Sequence, residues 1–495
     1  MYNILMAKYD IVVVGGGTAG CAAAYTAGKS GFKTLLIEKN AHLGGSITSG
    51  LVVPAMKAGK NQINTDFFNI LCEELHKIGG QITYQDNKGW FNPELTKIVL
   101  DKLMKDAGVD VVFGAKAESV KITCHSEQSE EFLSYERFQV ETLQCIPPHP
   151  NPLPLGEGVC SITSLKLLSV YNYSIQNTQE ILSEPIEARY VIDATGNCEI
   201  GKICGCEFLD DTSLKTNKKP PSPQPSPSGG EGVMSQPFSL RFMMGNIDLK
   251  CFSNWLLEFD QDRNVSTVEH IAPHPNPLPK GAREHIIHLS TAYTWDEDKS
   301  WALKPLFDDA VEKGILKDAD RNYFQIFTVA GMPNTVAFNC PRILDTQDYT
   351  KGLQQGRESI LRISEFCRIY LPGFENAFIS NIADELGVRV SNRIKGKYVY
   401  TIDDLRSGKK FEHPVVISDY PVDVHSDKKD SSTLEVVQDY QLPVESLMSA
   451  DIENLFVVGR CLSADFLSQG ALRVQPNCFA MGEGVVKWLK RGMEG

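Results

Sequence analysis

The sequence predicts an α/β fold, in which a parallel sheet with an antiparallel meander forms one domain and an α+β domain is inserted into it. The first observation is a strand–helix–strand start, which comprises Tyr9–Val14, Thr18–Ser30 and Lys33–Glu38. The second is the return of short apolar strands at Arg189–Ala194 and Asn454–Gly459. The third is a long middle region that alternates short strands with helices. At 495 residues, the chain has room for two or three domains.

Apolar periodicity predicts the remaining elements and the domain boundaries. Three further stretches are predicted as strands of the meander: Val111–Ile122, Arg137–Gln144 and Ser161–Ser169. Helical periodicity marks Thr65–Lys77, Pro93–Asp106, Thr350–Tyr370 and, near the end of the chain, Pro476–Arg491. We therefore expect the first domain to comprise residues 1–237 and 422–495, with residues 238–421 as the inserted domain.

Three proline-rich segments interrupt this pattern and resemble one another. They are Pro147–Val159, Pro220–Val233 and Pro273–Glu284. Proline at alternate positions excludes a helix or a central strand, so we expect polyproline or loop conformation. We interpret the segments as copies of one inserted element in surface loops, where added length costs little entropy. The alternative, that they are ligands for proline-binding modules, stays open.

The charge balance bears on the partners of the protein. Lys and Arg number 49, and Asp and Glu number 62, which gives a net charge of −13. A surface that neutralises nucleic-acid phosphates is usually basic, so we do not expect nucleic acid as a partner. No apolar run reaches the roughly 18 residues that a membrane span needs, and the first residues do not form a secretory signal. We expect a cytoplasmic protein without a membrane span.

The thirteen cysteines have no regular spacing, which favours reduced thiols over a disulfide framework. Cys198, Cys204, Cys206 and the more distant Cys251 could suggest an iron–sulfur or zinc site. A single CxC pair is weak spacing for either metal. We expect these cysteines to pack as small apolar side chains, and we predict no metal site.

A glycine-rich turn follows the first strand and opens the first helix. Its sequence is Gly15-Gly16-Gly17-Thr18-Ala19-Gly20. Between a strand and a helix, this pattern predicts a dinucleotide site at these residues. Gly15 permits the tight turn, Gly17 lets a pyrophosphate approach the helix N-terminus, and Gly20 lets helix and sheet pack closely.

An acidic residue at the end of the second strand narrows the choice of nucleotide. Glu38 stands there and is followed by Lys39. A carboxylate at this position accepts hydrogen bonds from the adenosine ribose and disfavours a 2′-phosphate. The ligand is therefore predicted to be FAD or NAD rather than NADP, with Glu38 and Lys39 at its adenosine end.

Three later motifs favour FAD over NAD. They are Gly44-Gly45-Ser46, Ala194-Thr195-Gly196 and Gly459-Arg460. With these motifs the sequence resembles the glutathione-reductase-like FAD superfamily, and within it the FAD-dependent oxidoreductase family related to fumarate reductase and succinate dehydrogenase flavoproteins. The resemblance runs from about Tyr9 to Val486, outside the inserts. It implies a glutathione-reductase-like, FAD-binding Rossmann domain with an inserted α+β substrate domain, and FAD contacts at all three motifs.

Departures from the superfamily pattern refine this expectation. No CxxxxC follows Gly45 and no second dinucleotide fingerprint follows a later strand, which argues against a thiol-disulfide reductase. No histidine arrangement typical of covalent flavin attachment adjoins Gly44, so we expect noncovalent FAD. Arg460 stands where many members carry an acid that binds the ribityl chain.

The residues expected at the substrate come from the same resemblance. The sequence GALRVQPN, which contains Arg473 and Asn477, resembles a fumarate reductase stretch in which the arginine faces the substrate carboxylate beside the flavin. His425 is similarly spaced to a substrate-binding histidine, and Arg389 and Arg393 resemble an arginine pair of the family. The alternatives are a surface cation at 473, an ordinary histidine at 425 and a solvated arginine pair at a helix end.

These residues together predict an FAD-dependent oxidoreductase. It would transfer a hydride between flavin N5 and a small carboxylate-bearing metabolite, with an electron acceptor that the sequence does not identify. One alternative is a non-catalytic or degenerate flavin-binding protein, because the inserts and altered motifs could weaken the second domain. Another is an RNA-modification flavoprotein, for which Lys395–Lys397 and Lys409–Lys410 would supply a local basic face.

Overall fold

The computed structural model describes most of the chain. The described residues are 8–126, 129–138, 158–170, 185–209, 236–260, 266–271, 286–294, 303–321, 323–344, 348–425, 431–434 and 438–494. The three proline-rich segments lie outside these residues, apart from Gly158 and Val159.

The described chain contains both helices and strands. The helices are α1 (Thr18–Lys29), α2 (Asp66–Lys77), α3 (Pro93–Asp106), α4 (Glu199–Cys204), α5 (Leu249–Phe259), α6 (Lys304–Glu312), α7 (Tyr349–Tyr370), α8 (Ile402–Ser407), α9 (Phe466–Leu472) and α10 (Gln475–Glu494). The strands up to the second sheet are β1 (Lys8–Val14), β2 (Thr34–Glu38), β3 (Gln81–Tyr84), β4 (Asn87–Phe91), β5 (Asp110–Phe113), β6 (Ala115–Ser126), β7 (Ser129–Phe138), β8 (Gly158–Ser169), β9 (Ile186–Asp193) and β10 (Phe238–Ser239). The later strands are β11 (Phe242–Gly245), β12 (Ser266–Ile271), β13 (Ile286–Thr294), β14 (Tyr323–Val329), β15 (Met332–Phe338), β16 (Arg342–Ile343), β17 (Phe378–Ile382), β18 (Pro414–Ser418), β19 (Val422–His425), β20 (Ser431–Leu434), β21 (Tyr440–Pro443) and β22 (Leu455–Val457). No helix in this part of the chain is long and apolar enough to cross a membrane.

An eight-stranded sheet carries the predicted parallel core and meander. Its order is β5-β2-β1-β9-β8-β6-β7, and β22 also pairs with β9. The strands β5, β2, β1, β9 and β22 run parallel, whereas β8, β6 and β7 are antiparallel neighbours. One edge of β9 serves two partners, because its first residues pair with β8 and its last with β22. The predicted fold class is confirmed.

The parallel strands are buried on both faces, as strands of parallel sheets usually are. Ile11 and Val13 of β1 belong to the core on the α1 side, and Val12 and Val14 belong to the core that includes α4 and the meander. The helices α1 and α10 pack closely, since a side chain at Gly482 would meet the carbonyl oxygen of Ala19 at 2.1 Å. Small residues in α1 therefore bring both helices against the sheet.

A second, six-stranded sheet is antiparallel throughout. Its order is β12-β13-β14-β15-β11-β17. An aromatic core supports it, in which Phe324 contacts Phe307 of α6 and Phe366 of α7 at ring-centroid distances of 5.1 and 6.4 Å. All of these strands lie within residues 238–421, the predicted inserted domain. The domain boundaries themselves stay a prediction.

The strand predicted at Val111–Ile122 is two strands, and this prediction was wrong. Gly114 has φ +65°, a conformation that glycine adopts at little cost, and it separates β5 from β6. β5 joins the parallel sheet beside β2, whereas β6 begins the meander. Apolar residues continue on both sides of Gly114. The hydrophobic periodicity of the sequence alone therefore did not indicate that one strand ends and another begins there.

Two neighbouring strand boundaries also differ from the prediction. The strand predicted at Arg137–Gln144 overlaps β7 at Arg137 and Phe138, and residues 139–144 lie outside the described part of the chain. β7 begins earlier than predicted, at Ser129, because antiparallel neighbours need only a short connection. The strand predicted from Ser161 starts at Gly158, which pairs with Ser126. The first proline-rich segment is therefore two residues shorter at its end than predicted.

One cysteine pair departs from the expectation of reduced thiols. Cys124 of β6 lies opposite Cys160 of β8, with their Cα atoms 4.0 Å apart, and the two form a disulfide. Cross-strand register brought these cysteines together, and register cannot be deduced from their spacing in the sequence. Cys198, Cys204 and Cys206 are buried thiols, as the packing interpretation expects, whereas Cys251 is exposed and does not fit it.

A buried histidine joins the second sheet to the β3–β4 hairpin. The ring of His288 lies 4.1 Å from that of Tyr84 and 4.5 Å from that of Trp90, between ring centroids. Its Nδ1 lies 3.2 Å from the hydroxyl of Thr328, and within the described structure its Nε2 has no hydrogen-bond partner. Burial lowers the pKa of His288 to about 4.

His288 is expected to make the fold sensitive to acid. The folded protein holds the imidazole neutral, while the unfolded chain binds a proton near pH 6.5, so stability is present above pH 6.5 and is lost as the pH falls toward 4. The loss at pH 4 is about 3 kcal/mol. Urea unfolding at pH 7 and 4.5 should show a smaller stability loss for His288→Phe than for the wild type. Equal losses in the two proteins would contradict this prediction.

Candidate cofactor and substrate site

The glycine-rich turn takes the conformation that its sequence predicts. Gly15 has φ +100°, and a side chain there would meet the carbonyl carbon of Ala194 at 2.6 Å. A side chain at Gly20 would meet the carbonyl oxygen of Gly15 at 1.8 Å. The protein itself therefore requires glycine at both positions, for the turn and for close packing of α1.

Gly17 differs from its neighbours because nothing in the protein requires it to be glycine. It has φ −75°, and a Cβ added there meets no atom within 4 Å. Gly17 is also the N-cap of α1, and no side chain caps this helix end. Open space in front of uncapped helix amides is what an approaching pyrophosphate needs. The cradle fits the diphosphate of a dinucleotide.

Glu38 is fixed beside this turn by backbone donors. Its Oε2 accepts from the amide of Gly16 at 2.6 Å, and its Oε1 accepts from the amide of Asn40 at 2.8 Å. Burial raises the pKa of Glu38, and these hydrogen bonds oppose the rise. Each carboxylate oxygen keeps further acceptor capacity, which suits ribose hydroxyls. Lys39 forms an ion pair with Glu385 at 3.4 Å.

The Gly44-Gly45-Ser46 motif packs directly on the glycine-rich turn. The amide of Gly44, at φ +102°, donates to the carbonyl of Gly16 at 2.8 Å. A Cβ at Gly45 would lie 3.0 Å from the Cα of Gly17. The hydroxyls of Ser46 and Thr18 lie 3.2 Å apart. The two motifs therefore form one wall of the cradle.

The Ala194-Thr195-Gly196 turn is held by an aspartate that the sequence analysis did not single out. Asp193 is buried at the end of β9, and its Oδ1 accepts from the amide and hydroxyl of Thr195 at 3.1 and 2.7 Å. Its Oδ2 accepts from the amide of Ile200 at 2.8 Å. Burial raises the pKa of Asp193. The amide of Ala194 donates to Val14, which sets this turn beside the glycine-rich one.

Arg460 clamps two loops together. Its Nε donates to the carbonyl of Gly196, its Nη1 to the carbonyl of Val388 at 2.8 Å, and its Nη2 to the side chain of Asn197 at 3.0 Å. Gly459, at φ +83°, starts the turn that carries it. The described hydrogen bonds of Arg460 are thus all made to other protein groups. This suits a residue that positions the loops of the predicted cofactor site.

Arg473 follows the short helix α9 (Phe466–Leu472), which the sequence analysis did not predict. Its side chain is only 14% exposed. Its Nη2 donates to the carbonyl of Asp423 at 2.9 Å and lies 3.5 Å from the carboxylate of the same residue. Within the described residues, the buried Nε of Arg473 has no acceptor. The alternative of a surface cation is wrong.

Arg389 lies within electrostatic reach of Arg473 and of two further arginines, Arg342 and Arg241. Arg389 is 8% exposed and donates to the carbonyl of Pro237. Burial, as the largest cause, and the nearby positive charges of Arg473, Arg342 and Arg241 together lower the pKa of Arg389 to about 9, against the opposing charge of Asp423. We call Arg241, Arg342, Arg389 and Arg473 the arginine cluster.

Arg241 and Arg342 come from the second sheet region, and the sequence analysis missed both. Arg241 directly precedes β11 and donates to the carbonyl of Val53 at 3.5 Å, and burial lowers its pKa to about 10. Arg342 begins β16, and burial lowers its pKa as well. Neither residue belongs to a recognisable motif. The one feature of the sequence that could have pointed to them is a single cationic residue beside a short apolar strand.

The remaining residues predicted at the site are Arg393, Asn477 and His425. Arg393 is buried and donates to the carbonyl of Ala464 at 2.8 Å. Neither it nor Arg389 belongs to a helix, so the solvated helix-end alternative is wrong. Asn477 donates to the carbonyl of Ala471 and accepts from Gln62 at 3.2 Å, so protein contacts hold it. The side chain of His425 lies outside the described part of the chain.

The nucleotide cradle and the arginine cluster are linked by the segment after the second glycine motif. The carbonyls of Val52 and Val53 accept hydrogen bonds from Gln475 and Arg241. Gln469 of α9 donates to the carbonyls of Arg389 and Arg460, both at 3.2 Å. An elongated ligand such as FAD, held by its diphosphate at Gly17, fits an arrangement with a second polar site further along the same wall.

Two other features do not contribute to this site. Among the described residues, no group of three or more His, Cys, Asp or Glu side chains could hold a metal ion. A cavity of about 980 Å³ lies at the opposite end of the parallel strands, beside Lys8, Glu187 and Asn454. None of the predicted site residues is among those that line it.

Comparison with known proteins assigns the family. The profile of the family described as FAD dependent oxidoreductase matches residues 10–141 and 170–486. A 3-oxosteroid 1-dehydrogenase from Mycolicibacterium smegmatis is 34% identical over 110 residues, which is 20% of this chain and 19% of the relative. A vinyl phenol reductase from Lactiplantibacillus plantarum is 47% identical over 71 residues, which is 14% of each chain. The chain thus spans less than a fifth of the length of either relative.

Several solved structures align along nearly the whole chain. Among them is a geranylgeranyl bacteriochlorophyll reductase-like protein from Thermoplasma acidophilum, with a TM-score of 0.42 and 13% identity over 98% of this chain and 79% of that one. The family profile covers most of the chain. The chain belongs to the FAD dependent oxidoreductase family, and FAD is its cofactor.

Proposed function

We propose that this enzyme transfers a hydride between flavin N5 and a small carboxylate-bearing metabolite bound by the arginine cluster. The observation that carries the proposal is the cluster itself, in which Arg241 and Arg473 are buried at their Nε atoms and the charges that act on Arg389 include three arginines and the carboxylate of Asp423. The whole chain has a net charge of −13, so a buried concentration of positive charge runs against its composition. An anionic ligand accounts for it.

The energetic argument rests on the cost of buried cations. Removing a guanidinium from water costs several kcal/mol unless a partner carries the opposite charge. Like charges in a region of low dielectric repel each other, which agrees with the lowered pKa of Arg389. The buried Nε atoms of Arg241 and Arg473 have no acceptor among the described residues. A carboxylate would offer both the missing charge and acceptors for these donors.

Each residue has a role that follows from its contacts. FAD supplies the hydride acceptor or donor at N5 when it is bound. Arg473, oriented by the carbonyl of Asp423, and Arg389, oriented by the carbonyl of Pro237, would hold the substrate carboxylate. Positioning of this kind raises the rate because the reacting carbon is held at the flavin rather than diffusing to it.

The alternatives from the sequence are less well supported. A flavoprotein without catalysis would need the cradle but has no use for a buried arginine cluster. For RNA modification, the basic face is partly neutralised, because Lys395 pairs with Glu207 at 2.8 Å and Lys409 with Asp404 at 3.3 Å. We therefore retain the oxidoreductase with a small anionic substrate.

Anaerobic titration of the FAD-loaded protein tests the proposal. The purified enzyme is mixed with a panel of small hydroxy, amino, saturated and unsaturated acids, the last against protein reduced beforehand, and the visible flavin spectrum is followed. At least one acid should reduce the oxidised flavin or reoxidise the reduced flavin, with one molecule of acid consumed for each flavin. If dithionite reduces the flavin but no acid in the panel reacts with it in either state, the non-catalytic alternative is favoured instead.

A further inference from the structure

We infer that Glu385 is a positioning residue for FAD, which fixes the loop predicted to hold the adenosine from outside the nucleotide-binding βαβ unit. This loop, which we call the β2 loop, comprises Glu38 at the end of β2 and the next two residues, Lys39 and Asn40. Glu385 belongs to the segment after β17, the last strand in the order of the second sheet. The inference rests on the predicted contact between Glu38 and the ribose, and it is independent of the proposed substrate.

Asn40 is the residue through which Glu385 acts. The backbone amide of Asn40 donates to Oε1 of Glu38 at 2.8 Å and so fixes one oxygen of the carboxylate predicted to bind the ribose. The side-chain amide of Asn40 donates to Oε1 of Glu385 at 3.1 Å. The carbonyl of Asn40 accepts from the amide of Gly114, between β5 and β6, at 3.3 Å. Three different parts of the chain therefore hold Asn40, and one of them is the segment that carries Glu385.

Backbone hydrogen bonds on the preceding two residues fix the position of Glu385. The amide of Ala383 donates to the carbonyl of Arg241, in the second sheet region, at 2.9 Å. The amide of Asp384 donates to the carbonyl of Ser49, shortly after the second glycine motif, at 2.9 Å. Two consecutive residues thus tie this segment to the second sheet region on one side and to the cofactor-binding unit on the other. The next residue, Glu385, then reaches the β2 loop.

A histidine just after the β2 loop makes a second contact with the same segment. The Nε2 atom of His42 lies 3.1 Å from the hydroxyl of Ser49 and 4.0 Å from the carboxylate of Asp384. Ser49 is buried, and the side chain of His42 is 19% exposed. The loop and the segment therefore meet over several residues rather than at one side chain, which limits how far Glu385 can move relative to Asn40.

The hydrogen bond to Asn40, rather than the ion pair with Lys39, carries the effect on FAD. Oε1 of Glu385 makes both contacts, and it lies 3.4 Å from the ammonium of Lys39. The side chains of Lys39 and Glu385 are 47% and 35% exposed, and an ion pair with this exposure contributes little. Asn40 is bound directly to Glu38, so a shift of Asn40 moves the carboxylate. Because hydrogen bonds weaken steeply when their geometry changes, a displaced carboxylate would bind the ribose less well.

Release of FAD on dilution of the FAD-loaded enzyme tests the inference, with flavin fluorescence as the readout of the dissociation constant. Glu385→Ala should raise the dissociation constant of FAD about threefold to tenfold, the loss expected for one hydrogen bond between side chains. Glu385→Gln should bind FAD like the wild type, because its carbonyl oxygen can accept from Asn40 and Lys39 as Oε1 does. No loss in Glu385→Ala, or an equal loss in Glu385→Gln, would overturn the inference.

Displacement of bound FAD by ADP locates the effect within the cofactor. ADP contains the adenosine and the diphosphate of FAD but no flavin. If Glu385 acts at the adenosine, Glu385→Ala weakens the binding of ADP and of FAD by the same factor, so the equilibrium constant for exchange of FAD by ADP stays at its wild-type value. An exchange constant raised by about threefold to tenfold, the whole loss of one hydrogen bond, would place the effect at the flavin end and overturn the inference.

A double variant tests the route through Asn40. Asn40→Ala removes the side chain that contacts Glu385 and keeps the backbone donor to Glu38. The double variant Asn40→Ala, Glu385→Ala should bind FAD no more weakly than the weaker single variant, because all three remove the same hydrogen bond. Two independent losses of stability would instead multiply, and that result would overturn the inference. The matched control is Glu358→Ala, at an exposed acid of α7, with no change expected.

Discussion

Gly17→Leu protein is expected to purify with little or no FAD, although it should fold normally. The side chain would enter the open space in front of α1, where its Cβ meets no protein atom within 4 Å, so we expect the protein to tolerate it. The diphosphate could no longer approach the helix amides. Loss of about two charge-assisted hydrogen bonds costs about 3–6 kcal/mol, which corresponds to roughly 150- to 20,000-fold weaker binding. Flavin absorbance per protein measures the effect.

A matched control makes this result specific. Gly492 lies near the end of α10, and a Cβ there also meets nothing within 4 Å. Gly492→Leu should therefore keep a full complement of FAD. Acid precipitation of the wild type should release all of its FAD, as noncovalent binding requires. Stoichiometric FAD in Gly17→Leu would show that the diphosphate binds elsewhere.

Arg473→Ala is expected to keep its FAD and to lose most substrate-dependent flavin reduction. The predicted contacts to the diphosphate and the adenosine lie in the cradle around Gly17 and Glu38, while Arg473 is held at Asp423 in the arginine cluster. Removing a guanidinium that pairs with a carboxylate in a water-poor site costs about 2–4 kcal/mol, or roughly 30- to 1000-fold in rate or affinity. Stopped-flow reduction under anaerobic conditions measures the loss.

The lysine variant is the informative comparison for Arg473. Arg473→Lys keeps the charge but cannot form a two-pronged contact, so it should recover only part of the rate. FAD content and the unfolding midpoint should match the wild type in both variants. A wild-type rate in Arg473→Ala would move the substrate site away from the arginine cluster, and His425 and Arg393 would then be the remaining predicted candidates.

The cofactor cradle could be predicted from sequence because its determinants are local. The connection between β1 and α1 contains Gly15 and Gly17, and the start of the helix contains Gly20. Glu38 ends the next strand. Parallel pairing of β1 with β2 then brings Glu38 next to the turn without further information. Conformation and position are both set within a single βαβ unit.

The arginine cluster could be predicted only in part, because its members meet through tertiary packing. Arg389 and Arg473 were found through family resemblance. Arg241 and Arg342 belong to no motif, and their meeting depends on how β11 and β16 pack beside the first domain. The Cys124–Cys160 pairing was missed for a similar reason, since it depends on the register between β6 and β8.

Short elements were the other source of error. The helix α9 has only seven residues, and glycine and alanine in it resemble loop composition. Its N-cap, Asp465, accepts from the amide of Ser468, a signal that the sequence contained. Recognising it would have predicted a helix that ends at Arg473.

The most direct test of the account compares one acid with its carboxamide. After the panel has identified an acid that reduces the flavin, the first-order rate of anaerobic flavin reduction is measured by stopped flow for that acid and for the amide, which has the same shape without the charge. Binding of the carboxylate by the arginine cluster predicts that the amide reacts at least about 30-fold more slowly, in line with the loss of a charge-assisted contact. Equal rates for the acid and the amide would contradict it.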